Sequence, residues 1–77
     1  MPTLQIDKYK FRFYSSDRFE PPHIHVIRDD KVAKIWLRPV TLQYNRGYRA
    51  AELNIILRLT RENQSDLLEA WYDYFSR

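Results

Sequence analysis

The apolar residues of this chain keep a period of two as far as Gly47 and a helical period beyond it, so strands come first and helices last. Tyr9, Phe11 and Phe13 alternate with Lys10, Arg12 and Tyr14, as one strand with an apolar and a basic face requires. Ser15-Ser16-Asp17-Arg18 breaks the alternation as a loop, which Pro21-Pro22 extends. A second strand is expected over 23–28 and a third over 32–37, with Asp29-Asp30 as the turn of a hairpin between them. After Pro39, the alternation of Val40, Leu42 and Tyr44 predicts a short fourth strand at an edge. Gly47, the single glycine, stands where the chain must turn from strand to helix.

Leu53, Ile56, Leu57 and Thr60 then fall at helical spacing, with Ile55 and Leu59 widening the apolar face. Asn63 reads as the N-cap of a second helix, with Asp66 three residues on, and Leu68, Trp71, Tyr72 and Phe75 as its apolar stripe. One continuous helix is the competing reading, but two shorter helices can both fold back on a small sheet. The expected fold is therefore α+β: a small antiparallel β-meander of three to four strands packed by a C-terminal pair of helices. It forms a single domain over residues 1–77.

A chain of 77 residues has one core, and at this size it buries only about 60–65% of the surface its unfolded form exposes. Small domains make up the shortfall with disulfides, metals or partners. Cysteine is absent, which excludes disulfides and thiolate zinc sites and leaves a metal or a partner. No apolar run approaches the roughly 18–20 residues of a membrane span, and no basic-then-apolar leader opens the chain, so the cytoplasm is the expected location. Charge is unevenly spread: residues 1–50 hold ten Lys/Arg against five Asp/Glu, residues 51–77 three against five. A basic front half suits RNA or an acidic partner, and equally serves as a solubilising surface.

The most unusual stretch is Glu20-Pro21-Pro22-His23-Ile24-His25-Val26. The two prolines fix the backbone entering the strand. Residues two apart share a strand face, so His23 and His25 can present imidazole nitrogens to one ion, Zn²⁺ or Ni²⁺, with Glu20 as a carboxylate ligand from the loop. Either histidine is also a candidate general acid or base. The same pattern serves a purely structural end, in which the rings hydrogen-bond backbone or carboxylate groups and anchor the Pro-Pro turn. A Gly-rich phosphate loop, a nucleophile elbow and a thiol nucleophile are all missing. A metal-free ribonuclease needs only an acid, a base and cations, for which His23, His25, Lys10, Arg12 and Arg28 would serve.

Tyr9, Phe11 and Phe13 read as core, and Trp71, Tyr74 and Phe75 as helix–sheet packing. Trp36 differs, because it shares a strand face with Lys34 instead of Ala33, Ile35 and Leu37, and a half-exposed tryptophan beside cations suits an interface. Lys10, Arg12, Arg28, Lys34 and Trp36 are the candidate residues for binding nucleic acid or a partner.

The order of Phe11–Phe13, the Glu-Pro-Pro-His-x-His-Val stretch, Ala33-Lys34-Ile35-Trp36-Leu37 with Pro39-Val40, Gly47-Tyr48, Glu52-Leu53, Glu62-Asn63, Trp71 and Tyr74-Phe75 resembles the small bacterial domains of unknown function numbered 4160. The resemblance covers nearly the whole chain. It implies one half of a two-gene arrangement similar to a toxin–antitoxin pair, and with it a cognate small protein as partner. The leading expectation is a small cytoplasmic binding module, the toxin-like member of such a pair, acting through its cognate protein and through RNA, with self-association allowed and no cofactor required. The alternative is an enzyme, a ribonuclease or metal-dependent hydrolase centred on His23 and His25. A plain nucleic-acid-binding regulator is a third reading.

Overall fold

The computed structural model describes residues 3–76; Met1, Pro2 and Arg77, which the sequence reading counts into the domain, lie outside them. The strands are β1 (Thr3–Ile6), β2 (Tyr9–Arg12), β3 (His23–Arg28), β4 (Lys31–Leu37) and β5 (Val40–Arg46), followed by helices α1 (Ala50–Glu62) and α2 (Gln64–Phe75). A 3₁₀ turn, Ser15–Phe19, connects β2 to β3. The strands form one antiparallel meander in the order β1-β2-β3-β4-β5, so each hydrogen-bonds its neighbour in sequence.

The α+β class and the helix pair agree with expectation, but the sheet has five strands where three to four were expected. The additional strand is Thr3–Ile6, which pairs along β2 through Leu4↔Phe11 and Ile6↔Tyr9. It turns into β2 at Asp7, whose φ of 57° is left-handed. Aspartate tolerates that region better than most residues, but Asp-Lys lacks the glycine that marks a tight hairpin in a sequence.

Cross-strand partners share a face, so the register sorts the side chains. Tyr9, Phe11, Ile24, Val26, Ala33 and Ile35 line the core face, all fully buried. Both helices pack there: Ile56 of α1 and Leu67 and Trp71 of α2 are buried. Phe13 continues the β2 alternation, and its ring meets Trp71, Tyr74 and Phe75 at centroid distances of 5.3, 5.5 and 5.6 Å. Aromatic pairs at this spacing add about 0.5–1.5 kcal/mol each beyond their buried area. The opposite face carries Lys10, Arg12, His25, Lys34 and Trp36.

Three expectations shift in detail. Lys34 pairs with Tyr44 but Ile35 with Leu42, so Gln43 is an extra residue in β5. That bulge turns Tyr44 away from the core face of Leu42, leaving it half exposed. On α2 the buried stripe runs through Leu67 and Trp71 instead of Leu68 and Tyr72; the Tyr72 hydroxyl instead accepts a hydrogen bond from Arg38 Nη1 at the surface, 2.7 Å away. Asn63 does separate two helices, but its side chain makes no N-cap bond to α2. Its Nδ2 donates back to the Leu59 carbonyl at 2.8 Å, satisfying the end of α1.

Candidate functional site

The site is assembled where the 3₁₀ turn meets the start of β3. Asp17 is fixed first: its backbone N–H donates to the Tyr14 carbonyl (2.9 Å), and its Oδ2 accepts from the Tyr14 N–H (2.8 Å). An aspartate closing its own turn in this way is a common local use of the short carboxylate. Pro21-Pro22 then carry the chain into β3, where the Leu37 N–H donates to the Pro22 carbonyl at 3.0 Å and ties the entry to β4.

His23, the first residue of β3, is fully buried. Its ring lies against Trp71, Trp36 and His25 at centroid distances of 5.1, 5.6 and 5.3 Å. Nδ1 lies 3.0 Å from the Pro21 carbonyl oxygen, which can only accept, so Nδ1 carries the hydrogen. His25 stands beside it on the same face, nearly enclosed, with Tyr14 over its ring at 5.0 Å. Burial pushes the His25 pKa down; the Asp17 charge opposes the shift, and the His23 ring adds to it.

Both imidazoles turn a nitrogen toward Asp17. His23 Nε2 lies 3.3 Å and His25 Nδ1 3.8 Å from Asp17 Oδ2. Both nitrogens are buried, and neither meets hydrogen-bond geometry with a partner. One ligand atom from each of Asp17, His23 and His25 falls within 4.8 Å of the other two, so the three together could hold a metal ion.

Glu20 occupies a different place. Its Oε1 accepts a short ion-paired hydrogen bond from Lys34 Nζ (2.6 Å), which holds its carboxyl below the usual range, and stands 4.0 Å from His23 Nδ1. That nitrogen is already engaged by Pro21. The sequence shows Asp17 only as a loop residue, and its spacing from the histidines does not mark it as their neighbour.

The candidate binding residues divide between the two faces. Lys10, Arg12, Lys34 and Trp36 share the face away from the helices, where Lys34 Nζ sits 5.0 Å from the Trp36 ring centroid. Arg28 lies on the other face and donates to Glu52 Oε2 of α1 at 2.8 Å. The open face gains Tyr44 and Arg46, which sequence periodicity could not place because of the bulge. These two, with Tyr14, His25, Ile27 and Val32 and the charged Asp29, Asp30 and Lys31, line a groove of about 300 Å³. The 3₁₀ turn presents Phe19, 87% exposed, with the Arg18 guanidinium 5.1 Å from its ring centroid; Arg18 itself lines a separate cleft with Ser15, Tyr74 and Phe75.

These features define a small α+β domain whose sheet face away from the helices is basic and aromatic and borders a buried histidine–carboxylate cluster at the start of β3. The model of a domain of unknown function, DUF4160, matches residues 9–72, and the chain belongs to that family. No curated protein and no solved structure matches the chain. No helix among the described residues is long and apolar enough to cross a membrane.

Proposed function

We propose that this domain is a partner-binding module, the toxin-like member of a two-gene pair, which engages a small acidic cognate protein in the cytoplasm through its open sheet face and the adjoining 3₁₀ turn. The observation that carries this reading is Phe19. A phenylalanine 87% exposed on a turn closed by the Asp17 hydrogen bonds offers a large apolar surface to a partner, and aromatic residues are frequent interface anchors. Lys10, Arg12 and Arg46 on the neighbouring face supply the charge that would attract an acidic surface. The two-gene context comes from the family resemblance.

The test is calorimetric titration of the chain with the product of its neighbouring gene, beside growth of cells expressing the chain with and without that gene. Phe19→Ala and the pair Lys10→Glu, Arg12→Glu should each weaken the complex by about tenfold or more. An absent complex and growth indifferent to both genes would remove the reading. If single-stranded RNA binds the same face instead, its affinity must fall steeply with salt as condensed counterions are released.

The buried, unpartnered nitrogens of His23 and His25 favour a second reading, a ribonuclease or a Zn²⁺- or Ni²⁺-dependent hydrolase centred on them. His23 is enclosed, so in this reading the proton exchange with substrate falls to His25, which lines the groove. Cleavage of single-stranded RNA that His25→Ala abolishes would support this reading over the first.

A further inference from the structure

A neutral histidine that donates from Nδ1 keeps a lone pair on Nε2. His23 donates from Nδ1 to the Pro21 carbonyl, so in the neutral ring the Nε2 lone pair is directed into the buried space beside Asp17. His25 Nδ1 turns into the same space. Two imidazole nitrogens and a carboxylate oxygen thus converge, and no hydrogen bond links either nitrogen to the oxygen. Such groups facing one another away from water are unfavourable unless something positive lies between them.

We propose that Asp17, His23 and His25 bind one divalent first-row transition ion, for which Zn²⁺ is the simplest occupant. Two imidazoles and one carboxylate are a borderline donor set that suits such ions, whereas Mg²⁺ and Ca²⁺ prefer oxygen alone. Bonds of about 2.0–2.1 Å in a tetrahedral shell put ligand atoms about 3.3 Å apart. The His23–Asp17 separation is already 3.3 Å, the His25–Asp17 separation of 3.8 Å needs a small side-chain closure, and the two histidine nitrogens, within 4.8 Å of each other, draw in with it. The outer contacts that orient metal ligands are also in place: the Pro21 carbonyl fixes the tautomer of His23, and the Tyr14 N–H holds the Asp17 carboxylate. Glu20 is not a ligand here, because it faces the nitrogen that Pro21 occupies and is paired with Lys34.

The ion clamps the 3₁₀ turn to the first strand residue after the prolines, supplying the cross-link that a short cysteine-free chain lacks. This role requires neither partner nor substrate, so it stands or falls separately from the partner-binding reading, while the metal-dependent hydrolase reading would draw on the same ion.

The test uses the full chain, stripped with EDTA and titrated with Zn²⁺ by calorimetry and with Co²⁺ by visible spectroscopy. One ion per chain is expected, with the intense visible bands of a four-coordinate Co²⁺ site and a melting temperature raised by roughly 5 °C or more at saturating Zn²⁺. Asp17→Asn and His25→Gln should abolish the rise, while Glu20→Gln should keep both stoichiometry and rise. Wild-type protein that takes up no ion and melts at the same temperature with and without Zn²⁺ overturns the site. So does Glu20→Gln abolishing binding while Asp17→Asn preserves it. The wild-type titration decides the matter even if a variant fails to fold.

Discussion

The Tyr9 hydroxyl donates to Glu52 Oε2 at 2.7 Å, on the same carboxylate oxygen that Arg28 Nη1 reaches at 2.8 Å. Residues of β2, β3 and α1 are joined at that one atom, at the end of the sheet remote from the histidines. Hydrogen bonds to a charged group contribute about 1.5–3 kcal/mol. Tyr9→Phe keeps the ring in its fully buried place and removes only the hydroxyl. The variant should lose about 1.5–3 kcal/mol, read as a lower urea midpoint with an unchanged slope. An unchanged midpoint would show that the bond adds nothing to folding.

The same contact sets a pH response. Burial, then the hydrogen bond to Glu52 and its charge, push the Tyr9 pKa up to about 12; burial likewise pushes Tyr48 up to about 12. A raised folded pKa means that the native state holds a proton the unfolded chain has released. Stability from these tyrosines is therefore complete below pH 10, their ordinary pKa, and declines as pH rises toward 12. Glu52 runs the other way: the Tyr9 hydrogen bond foremost, then Arg28, hold its carboxyl below the ordinary 4.5. Its contribution is present above that value and is lost as pH falls through the depressed folded pKa. Thermal melts across both limbs should show Tyr9→Phe flattening the alkaline decline relative to the parent. An identical alkaline limb in the variant would remove Tyr9 from the account.

Periodicity reveals the parts of the fold in which local pattern and tertiary packing agree. The Tyr9-Phe11-Phe13 alternation identifies the core face because each of these rings is buried. The alternation of Lys34 and Trp36 against Ala33, Ile35 and Leu37 survives unchanged for the same reason. Pattern fails where one residue resets it. Gln43 bulges and turns Tyr44 outward, and Asp7 makes a hairpin turn without glycine and so hides β1. The His-x-His pair is readable as a shared strand face, but its carboxylate neighbour is not. Asp17 meets the histidines through the path of an irregular turn, and no spacing rule distinguishes it from Glu20.

Gly47 joins sheet to helix with φ of 102°, a conformation open to glycine and strained for any side chain. A Cβ there would lie 2.8 Å from Lys31 Cγ and 3.3 Å from Lys31 Cβ, atoms next to the backbone that cannot swing clear as the end of the side chain could. Strain in φ and this contact act together, and Gly47→Ala should cost at least about 1–3 kcal/mol. The turn is also closed by Asn45, whose Oδ1 accepts from the Tyr48 N–H and whose Nδ2 donates to the Tyr48 carbonyl. A differential scanning calorimetry trace in which Gly47→Ala melts with the parent would show that the turn relaxes without penalty.

Charge reversal distinguishes the two faces of the sheet. Arg28→Glu places a second carboxylate against Glu52 and Tyr9, so it should destabilise the fold by about 1–3 kcal/mol whatever its effect on binding. Lys10→Glu lies on the open face and should shift the urea midpoint by no more than about 0.5 kcal/mol equivalent, while lowering affinity for an acidic partner. Arg58, exposed and loosely paired with Glu62 at 3.8 Å, is the control whose reversal should alter neither. Equal stability losses from Arg28→Glu and Lys10→Glu would mean that the faces are not energetically distinct.

The two histidines, though adjacent on one face, should respond unequally to removal. His23 is fully enclosed between Trp71, Trp36 and His25, and its Nδ1–H satisfies the Pro21 carbonyl. His23→Ala therefore opens a cavity between aromatic rings and strands a carbonyl, together worth about 2–4 kcal/mol in EDTA-stripped protein. His25 retains some exposure, and burial already works against its charged form. His25→Ala exposes a smaller void at the groove edge and should cost about 1 kcal/mol without metal. Added Zn²⁺ should widen the gap between parent and both variants, since only the parent has the full ligand set. Denaturant melts of the three proteins, with and without Zn²⁺, measure packing and ligation separately. His25→Ala as damaging as His23→Ala in stripped protein would show that the enclosure of His23 contributes no more than the edge position.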